Sequence, residues 1–362
     1  MVRTTRVRLD RISSATKNAR LNTDVILGDE IRAEEGQILA VRILSDKSSY
    51  NTVEDVSGRM VSRRAGDILA GVLGSRRALR GYAGEVPATV AVGDTINVLN
   101  LGGILGRCTS VNPDIGPPFD AEVLGAVLTF PDLGDRVGRP ASIRDGAVAM
   151  PSHVDPSTPI VYVVGTCMNA GKTVAATELV RGLARRGLKV GAVKLTGVSL
   201  MRDTLSMLDA GAIAALAFND AGIASTHAGP ETVTVAKGLL GRLASRHSGS
   251  PDVIVAELGD GILGEYGVQD ILLDAELMSV GAAHVMAAPD PVACWGAVEL
   301  YRNRFNLSIT AFTGPATDNQ VGRDFITNSL GLPSFNALRN AAGLVDAVEP
   351  AVRSWMSKRG AA

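Results

Sequence analysis

The first 150 residues carry short apolar runs cut by glycine and acidic residues, while the remainder alternates apolar runs with amphipathic segments. In the first part, Gln37–Leu44, Asp67–Leu73, Val86–Asn100, Ile104–Val111 and Ala121–Phe130 have the length and branched aliphatic content of strands. Gly-Asp pairs recur at 66–67 and 93–94, where glycine permits a positive φ and aspartate bonds nearby backbone. Closely spaced strands with such turns predict a small barrel or sandwich.

In the second part, Ile160–Val164 reads as a short buried strand and Val174–Arg186 as a helix stopped by Arg185-Arg186-Gly187. Further strands are expected at Leu188–Val193, Asp252–Glu257, His284–Ala287 and Ser308–Phe312, and further helices at Val198–Leu216 and Glu231–Arg246. Such alternation predicts an α/β fold, a parallel sheet with helices on both faces. Residues 139–159 hold four prolines and little periodicity. The expected organisation is therefore a β-rich domain over 1–150, a linker over 151–159 and an α/β domain over 160–362.

The chemistry concentrates at Gly165-Thr166-Cys167-Met168-Asn169-Ala170-Gly171-Lys172-Thr173. A strand, a small polar loop and Gly-Lys-Thr opening a helix make a phosphate loop, because the first helical N–H groups lack partners and the helix dipole is positive there. Gly165, Thr166, Asn169, Ala170, Gly171, Lys172, Thr173 and Val174 are the expected nucleotide contacts. Lys172 supplies charge to the outer phosphates and the Thr173 hydroxyl ligates Mg²⁺. Thr166 stands where the strict pattern G-x-x-x-x-G-K-[ST] has glycine; Gly165 lies one place earlier.

In parallel sheets the ligand sits at the carboxyl ends of the strands, which makes Lys194 and Glu257 candidates. A carboxylate ending an apolar strand holds Mg²⁺ in phosphate-loop proteins, with Asp260 as an alternative ligand. Lys194 is a second cation for a transferring phosphoryl group. Asp203 is a substrate candidate whose polar helix face explains it equally well. His227 is a lone loop histidine. Arg76, Arg77 and Arg80 lie on a glycine-bounded stretch and read either as an anion clamp or as a solvated loop.

Composition narrows the partners. The formal net charge of −1 removes nucleic acid as a bulk electrostatic partner. No apolar run reaches the ~18 residues of a membrane helix, and the basic N-terminal stretch has no apolar segment after it, so neither a membrane span nor a secretory signal is expected. Three separated cysteines suit a reducing, cytoplasmic setting and offer no structural metal site.

The loop 165–173 resembles the G-T-D-x-x-x-G-K-T loop of dethiobiotin synthetase, and is similar to those of cobyrinate amidating synthases and of the accessory protein for molybdopterin-guanine dinucleotide synthesis. These form the dethiobiotin-synthetase-like branch of phosphate-loop NTPases. Lys194 matches the lysine of the synthetase's Lys-Pro segment, with Leu195 in place of proline. Val255–Gly261 resembles its V-E-G-A-G-G stretch, whose glutamate binds Mg²⁺. Arg202-Asp203-Thr204 with Asp209–Ala212 is similar to the K-D-S…A-G-A segment of the accessory protein. Ala311–Asn319 and Leu332-Pro333 fall where the synthetase reads the base. The resemblance covers 160 to about 345 and ends short of the first 150 residues.

Two departures stand out: Cys167 replaces the aspartate that often follows G-T, and Thr166 is not the extra lysine of septum-positioning ATPases. A group of bacterial proteins with a G-T-D-C-x-x-G-K segment, some linked to N-acylation of D-amino acids, is similar in the loop but not in its N-terminal half. The resemblance implies Mg²⁺ and ATP, with GTP the alternative since no N-K-x-D demands guanine, and a homodimer. It implies a kinase or ligase that phosphorylates a small carboxylate, carbamate or hydroxyl through Lys172, Lys194 and Glu257. The rivals are a nucleotide-dependent adaptor or GTPase in cofactor biosynthesis, and an N-acyltransferase whose loop grips coenzyme A.

Overall fold

The computed structural model describes residues 4–155, 157–245 and 249–360, and these form two units. Arg246, the expected end of one helix, lies outside the described residues, as do Pro156 of the expected linker and the first three residues of the basic N-terminal stretch.

The first unit comprises Met1–Ala149 together with Val198–Arg202 and Phe218–Ser225. Its strands Phe119–Thr129, Ile38–Ile43, Ile68–Leu73, Ile104–Val111 and Thr95–Val98 pair in that order, and the last pairs back onto the first. The sheet thus closes on itself as a barrel. Closure explains why the run Ile38–Ile43 is apolar almost throughout. Alternate side chains point to opposite faces: Leu39, Val41 and Ile43 enter one buried cluster and Ile38 and Ala40 another. Both Gly-Asp pairs form the same turn. Gly66 and Gly93 have φ of +94° and +91°, and each aspartate accepts the N–H three residues back, from Arg64 at 3.1 Å and Ala91 at 2.8 Å.

Three sequence expectations change here. Of Val86–Asn100, only Thr95–Val98 is a strand, because Pro87 has no N–H to give a ladder and the Gly93 turn redirects the chain. The stretch bearing Arg76, Arg77 and Arg80 is not an open loop: Arg76–Arg77 pairs antiparallel with Tyr82–Glu85. The helix expected over Val198–Leu216 spans only Arg202–Asp209. Before it, residues 198–202 belong to the first unit, where Glu54, fully buried, accepts the Met201 and Arg202 N–H groups at 2.7 Å each. After it, the Ala212 N–H bonds Met207 O and the Gly211 N–H bonds Leu208 O, with Gly211 at φ +108°. That double closure ends a helix, and Ala214–Ala217 then continues as a strand.

The second unit comprises Met150–Gly197, Asp203–Ala217 and Thr226–Ala362. Its six-stranded sheet is numbered here in chain order: β1 Ile160–Gly165, β2 Val190–Thr196, β3 Ala214–Ala217, β4 Val253–Leu258, β5 Gly281–Ala287 and β6 Ala311–Thr313. The order is β3-β2-β4-β1-β5-β6 and every pairing is parallel. β1 sits mid-sheet between β4 and β5, buried along its whole length, which accounts for its unbroken apolar run.

Helix α1, Lys172–Arg185, covers one face of the sheet. Its Ala176, Leu179, Val180 and Leu183 pack with Val161 and Val163 of β1 and with Leu344, Val345 and Val348 of the C-terminal helix Ala341–Gly360. Each leucine buried there contributes roughly 1.5–3 kcal/mol. α1 stops where Gly187 takes φ +85° and the Leu188 N–H bonds Leu183 O, as the Arg-Arg-Gly signal predicts. Tyr162, on the other face of β1, is fully buried and donates to Leu277 O at 2.8 Å. Among the described residues no helix is long and apolar enough to cross a membrane.

Candidate functional site at the carboxyl end of β1

The loop between β1 and α1 is shaped by two left-handed residues, Asn169 at φ +59° and Gly171 at φ +97°. Gly171 is the N-cap of α1 and supplies no capping side chain, so the first N–H groups of the helix face the loop as an anion-binding end. The loop is held from both sides. Thr166 N–H bonds Ala287 O of β5 at 3.0 Å, and Ile262 N–H bonds Gly165 O at 3.0 Å. A Cβ on Gly314 would come within 2.3 Å of Ala170 O, and one on Gly261 within 2.5 Å of Thr166 O. Sequence reasoning missed Gly261, Ile262 and Gly314 as supports of the loop. The signal available is the small-residue stretch Leu258–Gly261, which the sequence reading takes for Asp260 and for the resemblance of Val255–Gly261 to a Mg²⁺-binding segment.

Lys172 is buried, and its ammonium donates back across the loop to Cys167 O at 2.8 Å. Burial pushes its pKa below the ordinary lysine value, against the pull of Glu257 and Asp260. Gly165 leaves room for this fold-back, since a Cβ there would lie 2.8 Å from Lys172 Cδ. That geometric need explains a glycine at 165, one place before the strict pattern.

Thr173, the second residue of α1, donates its hydroxyl to Glu257 Oε1 at 2.8 Å. The sheet register sets this up, because Glu257 on β4 stands between Val163 of β1 and Lys194 of β2. Glu257 is 2% exposed. Burial, then the Asp203 charge, raises its pKa above the usual carboxylate value, while Lys194, Lys172 and the Thr173 hydroxyl pull it down. Its other oxygen, Oε2, is buried with no hydrogen-bond partner among the described residues, and so is Thr166 Oγ1. A buried carboxylate oxygen without a partner is costly unless a cation or donor arrives.

Lys194 and Asp203 are both buried and form an ion pair with each other. Asp260 is buried in a left-handed conformation at φ +69°. The structure thus brings together Lys172, Thr173, Lys194, Asp203, Glu257 and Asp260, all within the second unit. Ala170 is buried and Asn169 exposed; Val174 is 37% exposed at the mouth of α1.

The three arginines belong to the first unit. Arg76 is buried there, its guanidinium bonded to Leu99 O and, at 3.0 Å, to the Tyr50 hydroxyl. It is a structural member of that core, whereas Arg77 and Arg80 are exposed. His227 is half-buried, and its carbonyl accepts from the Thr232 hydroxyl.

Among the described residues no group of three or more His, Cys, Asp or Glu could hold a metal by itself. A hard cation such as Mg²⁺ is commonly bound by one or two protein oxygens and completed by ligand phosphates and water. Glu257 Oε2 and the Thr173 hydroxyl fit such an ion.

No protein-family model matches the chain, and no curated protein does. Among solved structures it is similar to chloroplast FtsY from Physcomitrella patens, with 15% identity over 57% of this chain and 70% of that one and a TM-score of 0.37. It is also similar to a duf1611 family protein from Anabaena variabilis, with 18% identity, 63% and 70% coverage and a TM-score of 0.34. A third likeness is to the hydrogenase maturation factor HypB from Archaeoglobus fulgidus, with 13% identity, 55% and 77% coverage and a TM-score of 0.30.

Proposed function

We propose that the chain binds a nucleoside triphosphate with Mg²⁺ on residues 165–173 and passes its terminal phosphoryl group to a small carboxylate, carbamate or hydroxyl acceptor, with ATP as the donor. The observation that carries this reading is the pair Thr173–Glu257, bonded at 2.8 Å with Glu257 Oε2 left over beside the buried Lys172 ammonium. An open helix end binds phosphate oxygens, a buried lysine offsets their charge, and an unmatched carboxylate oxygen beside a hydroxyl suits a divalent ion.

When bound, Mg²⁺ would neutralise charge on the outer phosphates; Thr173 and Glu257 would hold it, with Asp260 as a further candidate ligand. The protein's own residues do the rest. Lys172 exchanges the Cys167 carbonyl for a phosphate oxygen. Lys194, now held by Asp203, is the second cation placed to follow charge as the phosphoryl group moves. Phosphoryl transfer needs positioning and electrostatics more than covalent chemistry, so this set suffices. A small-molecule substrate, a homodimer and a cytoplasmic setting belong to the same proposal.

The test has two stages. Equilibrium dialysis of wild type and Lys172→Ala with labelled ATP and GTP comes first; equal retention, or none by either, ends the reading. Incubation with Mg·ATP and pooled small carboxylates and alcohols follows. ADP formed in proportion to a consumed acceptor supports the enzyme. Slow, acceptor-independent turnover with GTP preferred points to an adaptor. Coenzyme A binding without nucleotide binding points to an acyltransferase.

A further inference from the structure

The helix Pro291–Leu300, which follows β5, is apolar on every side. Glu299 is its one charged residue, and that carboxylate accepts from the Asn303 amide at 2.9 Å. Cys294 and Ala297 are buried, as is Tyr301 in the π-helical turn Tyr301–Phe305 that follows. The opposite side faces outward, where Val292 is 76% exposed and Trp295 54%. A helix that is apolar all round is ordinarily covered all round, and tryptophan is enriched at the centres of protein interfaces.

Gly296 adds a second sign. It adjoins Trp295 and follows Val292 by one helical turn, on the same outward side. Glycine inside a helix is destabilising relative to alanine, and its use there is to let another backbone come close. A Cβ on Gly296 would meet nothing within 4 Å. Among the described residues, then, no neighbour needs the side chain to be missing.

The charges are arranged about that same glycine. Asp290 and Arg302 stand equally far from it along the chain, on opposite sides. At about 1.5 Å per residue, each lies roughly 9 Å from Gly296 along the helix axis. Both are exposed. Asp290 Oδ1 caps the helix by accepting the Ala293 N–H at 2.9 Å. Among the described residues neither Asp290 nor Arg302 has an ion-pair partner.

We propose that this face binds a second copy of the chain, the two helices antiparallel and crossing at Gly296 at a shallow angle. Each Trp295 indole then lies on the bare backbone of the other helix. Arg302 comes level with Asp290 of the second copy, and Asp290 with its Arg302. Opposite charges at equal distances on either side of one residue are complementary to the same helix reversed, which is the self-matching pattern of a two-fold interface. An unlike partner has no need of that symmetry. The apolar middle supplies the driving force as it leaves water. The end charges fix the direction, since a parallel arrangement sets like charges side by side. One helix pair buries little area, so the association is weak, in the micromolar range or above. This names a surface for the homodimer of the proposed function and does not rest on nucleotide binding.

The experiment is sedimentation equilibrium of the full chain without nucleotide, from low micromolar to submillimolar concentration. A reversible monomer–dimer equilibrium is expected. Trp295→Ser and Gly296→Leu each weaken the dimer by about tenfold or more, the usual loss at the centre of an interface. Both positions face outward, so both variants fold as wild type does. Asp290→Asn keeps a capping side chain, and it and Arg302→Gln each weaken the dimer severalfold. The double variant is no weaker than either alone, because both changes remove the same contact. A chain that stays monomeric at submillimolar concentration overturns the proposal. So does a dimer indifferent to Trp295→Ser or Gly296→Leu, which places the contact elsewhere. Strictly additive losses at 290 and 302 overturn the antiparallel arrangement. With no nucleotide present, none of these outcomes bears on the phosphate loop.

Discussion

The Thr173 hydroxyl and Glu257 Oε1 lie 2.8 Å apart although 84 residues separate them in the chain. α1 carries the threonine and β4 the glutamate, and the pairing of β4 beside β1 brings them together. The carboxylate is held in a place that disfavours its charge. A site so built is under electrostatic stress until a cation reaches it, and this yields the first expectation.

Glu257→Gln raises stability at neutral pH. The folded-state pKa of Glu257 lies above its unfolded value, so the folded protein resists ionisation that the unfolded chain accepts freely. The cost is absent below the unfolded glutamate value of about 4.3 and grows as pH rises from there through the folded pKa. Urea unfolding at neutral pH should show the variant more stable than wild type, with the gap closing as pH falls towards the ordinary carboxylate range. In the same variant Mg²⁺ should no longer strengthen nucleotide binding. A variant less stable than wild type at neutral pH, with Mg²⁺ dependence intact, contradicts the assignment.

Asp203→Asn removes the ion pair that Asp203 makes with the buried Lys194 ammonium. Breaking one side of a buried pair costs about 3–5 kcal/mol. Pyrophosphate or nucleotide can then take the place of the carboxylate, so ligand should raise the melting temperature of the variant by more than it raises that of wild type. Equal ligand-induced shifts would show that Lys194 does not reach the bound phosphates.

Two glycine-to-alanine changes separate loop geometry from simple strain. Gly314 and Gly187 share a left-handed φ, but a Cβ on Gly314 meets Ala170 O at 2.3 Å while one on Gly187 meets nothing within 4 Å. Gly187→Ala should cost about 1 kcal/mol of stability and leave nucleotide binding unchanged. Gly314→Ala should displace the phosphate loop and weaken nucleotide binding by about tenfold or more, the scale of one lost charged contact. Titrations on both variants decide the matter; identical affinities refute the role of Gly314.

His284 makes the second unit acid-sensitive. It is buried beside Tyr162 and Tyr301, with its Nδ1 3.4 Å from the Tyr301 hydroxyl. Burial lowers its pKa from 6.5 to about 4. A depressed histidine is neutral in the fold, so stability is full above about pH 6.5 and is lost as pH falls through that value towards 4. The full loss is roughly 3 kcal/mol. Denaturant titrations at stepped pH should show this slope in wild type and a shallower one in His284→Gln. An unchanged slope would assign the acid sensitivity elsewhere.

Local chemistry settled what could be read along the chain. The unbroken apolar run of β1, the cationic turn and Gly187 that end α1, and the paired Gly-Asp turns are each legible within a few residues, from side-chain type, dipole and backbone freedom. Gly-Lys-Thr after a buried strand carried the phosphate loop for the same reason. What only the tertiary structure decided is every relation across chain distance. Periodicity read 198–216 as one helix, yet its start is claimed by Glu54 in the first unit and its end by the closure at Gly211. Arg76, on a stretch that reads as solvated loop or anion clamp, is drawn inward by Tyr50 and the Leu99 carbonyl. The Lys194–Asp203 pair and the unmatched oxygen of Glu257 exist because neighbouring strands and the helix Arg202–Asp209 bury those groups together at the carboxyl end of the sheet. Burial and Coulomb interaction depend on what surrounds a side chain, and its chain neighbours do not specify that.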